Sequence, residues 1–169
     1  MSIEQGSMRQ VIGNIYKILI NDEDLMRLLY YFPKDATHFD PLDEELENIK
    51  DNVEYWDIVD DRIMLAEKDT DLNDKAICRI YISAGRRRPV FNNYLLTTQE
   101  IMISVYTHEK YEKDMRSAWL SDRINELLSL EYIEGTLSHK LEYFGGNPRV
   151  APSQYKRYDH TFEYVTKKK

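Results

Sequence analysis

The stretch AICRIYISAGRRRPVFNNYLLTTQEIMISVYTHE, residues 76–109, decides the fold. Its opening, AICRIYIS, is rich in β-branched and aromatic side chains and predicts a strand that ends at Gly85. TTQEIMISVYTHE, residues 97–109, predicts a second and longer strand. Between them GRRRPVFNNYLL holds Gly, Pro and an Asn-Asn pair, turn chemistry that predicts an extended hairpin connection. The same connection carries three consecutive arginines, Arg86, Arg87 and Arg88, in a chain of formal charge −7.

Outward from this hairpin, two helices precede it and a helix and two strands follow. Val11, Ile12, Ile15, Ile18 and Leu19 recur at helical spacing from Met8. A second helix starts where Asn21 or Asp22 caps it, buries Leu25, Leu28 and Leu29, and stops at Pro33. After the hairpin, Asp114 opens a helix over 114–130 with Met115, Trp119, Leu120, Ile124, Leu127 and Leu128 on one stripe. EGTLSHKLEYFGG predicts a strand bounded by Gly135 and Gly145-Gly146, and FGGNP reads as a loop. SQYKRYDHTFEYVT alternates Tyr158, His160, Phe162 and Tyr164 against Arg157, Asp159 and Glu163, and the closing KKK reads as a disordered tail. The class is α+β: a mixed or antiparallel sheet of about four main strands, with helices 8–32 and 114–130 on one face. Ile80, Ile82, Ile101, Ile103, Val105, Trp119, Ile124 and Leu127 form the expected core.

A chain of 169 residues fits a single domain, 1–169, able to bury a core without staples. Residues 34–75 form an acidic insert or arm. Over 35–74 there are fifteen acidic against three basic side chains, which leaves the remainder net basic. Within the insert Asp40-Pro41 followed by Leu42, Leu46, Ile49 and Val53 fits a short helix, and DRIMLAEKD a brief strand or extended arm. The single cysteine, Cys78, lies in an apolar strand pattern and reads as a buried, inert thiol. No apolar run is long enough for a bilayer, and MSIEQGSMRQ lacks the pattern of a signal peptide, so the expected place of assembly is a cytoplasm.

The chemistry expected from sequence is sparse. GxxxxGK and GxGxxG are absent. The four histidines, His38, His108, His139 and His160, have no metal-ligand spacing, and the pairs His108-Glu109 and Asp159-His160 point to opposite strand faces. No catalytic residue, metal or cofactor is therefore expected. RRRP is a weak nucleic-acid signal, since the helix after it balances Arg116 and Arg123 with Asp122 and Glu126. Three arginines and an acidic insert in one chain instead fit self-association through charge-assisted contacts, with the arginines on a loop that projects beyond the sheet. The candidate interface residues are Arg86, Arg87, Arg88, Phe91, Tyr94, Tyr155 and Arg157. Thirteen tyrosines suit such surfaces.

The order of strand, long hairpin and strand ending EIMISVYTHEKYEKD, then DMRSAWLSDRINELLS, YIEGTLSHKLEYFGG and YKRYDHTFEYV, resembles the head–tail joining proteins of long-tailed bacteriophages, above all the tail terminator family. The resemblance covers residues 76–166, and 8–32 more loosely. It implies a virion protein forming a ring, usually of six subunits, that caps the tail tube and meets the head-side connector. DNA would pass through the lumen without sequence-specific contacts, and an acidic lumen would let it slide. Other neck components, such as a stopper or minor capsid protein, share these shapes. A small nucleic-acid-binding module and an enzyme with a composite histidine site are the rival classes.

Overall fold

The computed structural model describes residues 7–33, 39–134, 136–137 and 140–167. Two helices lead, α1 (Met8–Asn21) and α2 (Glu23–Tyr30). Ser7 caps α1 through the Gln10 N–H, and Asp22 caps α2 by accepting from the Leu25 N–H at 2.8 Å. Helix α3 (Tyr55–Arg62) runs directly into the short strand β1 (Ile63–Met64). The long strands β2 (Cys78–Val90) and β3 (Asn93–His108) follow, then helix α4 (Arg116–Leu128) and strands β4 (Glu142–Arg149) and β5 (Tyr155–Lys167).

The strands form one sheet in the order β1-β2-β3-β5-β4, with β1 parallel to β2 and every other pair antiparallel. This is the expected α+β fold, with the helices on one face. Cys78, Ile80 and Ile82 of β2, Ile101, Ile103 and Val105 of β3, and Phe162 and Tyr164 of β5 point to that face. Val11, Ile15 and Leu19 of α1, Leu25, Leu28 and Leu29 of α2, and Leu120, Ile124 and Leu128 of α4 cover them. Each such side chain contributes roughly 1.5–3 kcal/mol by leaving water. Trp119 and Leu127 pack against this core while half-buried.

Four local expectations are corrected. Residues 40–53 do not form a helix but a chain of turns ending in a 3-10 segment, Ile49–Asp51. Asp40 and Asp43 bond the N–H groups of Leu42 and Glu45, and Arg27 of α2 takes the carbonyls of Asp43 and Leu46 at 2.6 and 2.9 Å. Backbone groups satisfied in this way have no need of helical partners. The one α-helix among the described residues of 34–75 is α3, further along.

The arginine connection is strand, not loop. β2 continues to Val90 and turns at Phe91 and Asn92, with Asn92 left-handed at φ 60°. Pro89 is tolerated because β1 covers only Ile80 and Tyr81, leaving the outer edge of β2 open beyond them. The pairing shifts between Ala84 and Arg87, so that Gly85 and Arg86 together oppose Glu100. A Cβ at Gly85 would lie 2.8 Å from the Glu100 Cβ, which explains the glycine.

Strand β4 starts seven residues after Gly135 and includes Gly145-Gly146 and Pro148, so FGGNP is strand rather than loop. A Cβ at Gly146 would meet the Tyr158 ring at 2.5 Å, so the glycine lets that ring cross the edge strand. Gly135, Ser138, His139, His38 and the last two lysines lie outside the described residues, whereas Lys167 closes β5. Met115, expected on the α4 stripe, precedes the helix in a left-handed conformation (φ 58°) and is exposed. Arg116 takes the inward place instead, fully buried, with its guanidinium bonded to Asp114 and to the Leu28 and Tyr31 carbonyls.

Candidate functional site

The three arginines diverge because they sit at a bulge in a strand. Arg86 is exposed, and its side chain makes no ion pair among the described residues; its N–H donates to Glu100 Oε2. Arg87 donates from Nε to Gln99 Oε1 at 2.7 Å. Arg88 is half-buried on the sheet face away from the helices, paired with Glu163 and, at 3.8 Å, with Glu100, while its guanidinium lies 5.5 Å from the Phe144 ring centre. The expected projecting arginine loop is thus strand, with Arg86 and Arg87 exposed as expected, Arg87 bonded to Gln99, and Arg88 half-buried in its ion pairs. What overhangs the sheet is the tip, where Phe91, Tyr94 and Leu95 are 90, 83 and 77% exposed.

Tyr155 and Arg157, also candidate contacts, are used inside the subunit. Tyr155 is buried, with its hydroxyl donating to the Lys75 carbonyl and accepting from the Ile77 N–H. Arg157 bonds Asp159, Glu67 and the Tyr106 hydroxyl.

Both belong to a polar face that sequence reading missed. The helix-distal side of the sheet is roofed by the acidic segment itself, through a second small core of Leu72, Ile77, Tyr81, Tyr106 and Tyr155. At its centre Arg79 is fully buried. It donates to Asp61 Oδ1 at 2.9 Å, to both oxygens of Asp71 at 2.8 and 3.0 Å, and to the Asp61 and Lys68 carbonyls. Hydrogen bonds from Arg79 hold the Asp71 carboxyl down to about 2. Burial opposes the charge of Arg79, but its bonds to Asp71 and Tyr81 outweigh that and its pKa is raised. The signal was present in the alternation of AICRIYIS: Cys78, Ile80 and Ile82 face one side, and Arg79 and Tyr81 the other.

A pocket of about 600 Å³ opens between α4 and the β4–β5 edge. Val105, Ala118, Pro148 and Tyr158 give it apolar walls, and His160 and Tyr143 line it as well. His160 is buried; its Nδ1 lies 3.3 Å from the Tyr143 hydroxyl and its Nε2 has no partner. Burial pulls its pKa down to about 4, so the ring is neutral near pH 7.

Neither of the two adjacent histidine–acid pairs converges. Asp159 turns to Arg157 on the far face, and His108 caps the segment Glu109–Asp114 through Nδ1 and packs edge-on against Tyr155. Cys78 is buried and its thiol is pushed up to about 12 by loss of solvent. Among the described residues no three His, Cys, Asp or Glu side chains gather as metal ligands, and no helix is long and apolar enough to cross a membrane.

Against known proteins, the model of the YomW family matches residues 22–164. The chain is 31% identical over 140 residues, 80% of each sequence, to the SPbeta prophage-derived uncharacterized protein YomW of Bacillus subtilis (strain 168). Among solved structures it resembles a chain of the virion of a native gene transfer agent particle, with a TM-score of 0.54 at 13% identity over 95% of this chain and 96% of that one. At that identity the likeness is one of fold.

Proposed function

This chain belongs to the YomW family, and from that premise we propose that it is a structural protein of a phage virion, one subunit of a ring at the head–tail junction. The observation that carries the reading is a fold shared along nearly the whole chain with a chain of a gene transfer agent virion. The prophage origin of the Bacillus relative supports it. In this reading the ring caps the tail tube on one side and meets the head-side connector on the other. DNA passes through a lumen whose acidic side chains give phosphates little to hold.

The hairpin tip supplies a contact surface. Phe91, Tyr94 and Leu95 stand exposed beyond the last β3–β5 pair, Leu96 with Lys167, and Arg86 lies free on the same hairpin. Aromatic and arginine side chains are the types enriched where protein surfaces meet. Arg88 and Arg87 serve the hairpin by fixing it to its own sheet.

The test is to delete the gene in an inducible lysogen and to image the purified protein by negative-stain microscopy. The expected results are heads and tails that fail to join, or tails of irregular length, together with small rings from the purified chain. Normal particles from the deletion, and absence of the protein from purified wild-type particles, would overturn the reading.

A further inference from the structure

Trp56 is 63% exposed at the start of α3, an unusual place for the largest apolar side chain. Val53 beside it is fully exposed. Glu54, Asp57 and Asp60 surround the pair and are exposed as well. An indole on an acidic face requires, once buried, an acceptor for its N–H, because that group only donates.

The pocket between α4 and the β4–β5 edge presents the complementary features. Its walls are apolar and aromatic, and its volume of about 600 Å³ admits a large ring. His160 is among its lining residues at 3% exposure, and its Nε2 is buried without a partner. In a neutral imidazole one nitrogen donates and the other accepts. In the tautomer whose Nδ1–H donates to the Tyr143 oxygen at 3.3 Å, Nε2 is a buried acceptor without a donor. Lys156 and Arg149, which also line the pocket, are mostly exposed, at 65 and 61%. Lys156 is bonded to Glu112 and Arg149 lies 3.8 Å from Asp159, so their remaining donors face water; among the described residues Asp122 is the one acid lining the pocket.

The two features lie at opposite edges of the sheet: α3 packs by β1 and β2, and the pocket opens beside β4 and β5. One copy therefore does not satisfy both, and identical patches do not meet. We infer that copies of this chain join head to tail, with Trp56 of one subunit seated in the α4/β4–β5 pocket of the next, its indole N–H donating to His160 Nε2. Glu54, Asp57 and Asp60 then lie against Lys156 and Arg149, which sets orientation and encounter rate. A heterologous contact of this kind closes into a ring when its rotation permits. The inference rests on the ring reading above and supplies one of its contacts.

Two exposed positions test it without touching the core: Trp56→Ala removes the plug, and Ala118→Tyr, on the exposed part of α4 that lines the pocket, fills the pocket mouth. Each variant alone should keep the circular dichroism of the parent and sediment as a monomer where the parent sediments as a ring. Mixed, the two should form a 1:1 dimer and nothing larger, since only one intact plug and one intact pocket remain. In a Trp119→Phe background, acrylamide quenching of Trp56 should fall severalfold on assembly. If Trp56→Ala forms rings as the parent does, or the mixture stays monomeric, the contact is wrong and the ring reading stands. If the parent itself is a monomer at every concentration, both fall together.

Discussion

One strand carries two kinds of arginine. At the start of β2, Arg79 is fully buried and gathers two aspartates and two backbone carbonyls around one guanidinium. At its far end Arg86 is bare, and Arg88 makes ion pairs at the surface. The residue type is the same; the reach of partners differs. Residues 61–71 fold back over the sheet beside Arg79, whereas beyond Tyr81 no strand among the described residues covers the outer edge of β2. A run of charge thus says less about location than the segment folded against it. The triplet that draws the eye in sequence is the less structural of the two sets.

The largest expected effect comes from breaking the buried set. Arg79→Leu takes away the buried cation between Asp61 and Asp71, leaving them the part-exposed Lys75, and releases the roof of the second core. Removing one partner of a buried pair costs about 3–5 kcal/mol, read as a fall in the urea midpoint. If the midpoint moves no more than for Arg88→Ala, the contrast between the two ends is void.

The buried set and the pocket also set the response to acid. His160 has its pKa lowered from 6.5 to about 4, so the unfolded chain binds a proton that the folded one refuses between those values. Its contribution is complete above pH 6.5 and is lost as the pH falls to 4, up to about 3 kcal/mol. Asp71, lowered from 3.8 to about 2, loses its share below that window, between pH 4 and 2. Urea titrations should show both declines, with His160→Asn flattening the first and Asp71→Asn the second.

Gly85→Ala sharpens the comparison at the bulge between the two arginine sets. Its Cβ would sit 2.8 Å from that of Glu100, and overpacking of this kind costs about 1–3 kcal/mol. Arg88→Ala should cost about 0–1 kcal/mol, since its pairs are part-exposed. Arg86→Glu should leave the unfolding free energy from urea titration within about 0.5 kcal/mol of the parent, yet weaken assembly measured by sedimentation. Replacing all three arginines would blur this, because a glutamate at 88 joins Glu100 and Glu163.

Periodicity made most of the sheet and helices legible. Alternation identified Ile80, Ile82, Ile101, Ile103 and Val105 as core, and the i, i+4 stripe identified Leu120, Ile124 and Leu128. The strand ends were not legible, since a proline or glycine pair is a turn signal until one knows that the strand lies at an edge. Residues 40–53 carried an apolar spacing that fits a helix, but Arg27, far away in sequence, claimed their carbonyls. The pocket was illegible for the same reason, as its walls come from α4, β3, β4 and β5.

By itself the sequence determined what depends on neighbours along the chain: the α+β class, a second helix capped at Asn21 or Asp22, the buried cysteine and the absence of a phosphate-binding motif. Tertiary structure alone decided which charges are inside, which arginine is free, that Trp56 stands exposed and that His160 Nε2 is buried without a partner. Those outcomes depend on segments tens of residues apart meeting across the sheet, and a polar group's fate is set by what lies within about 3 Å of it.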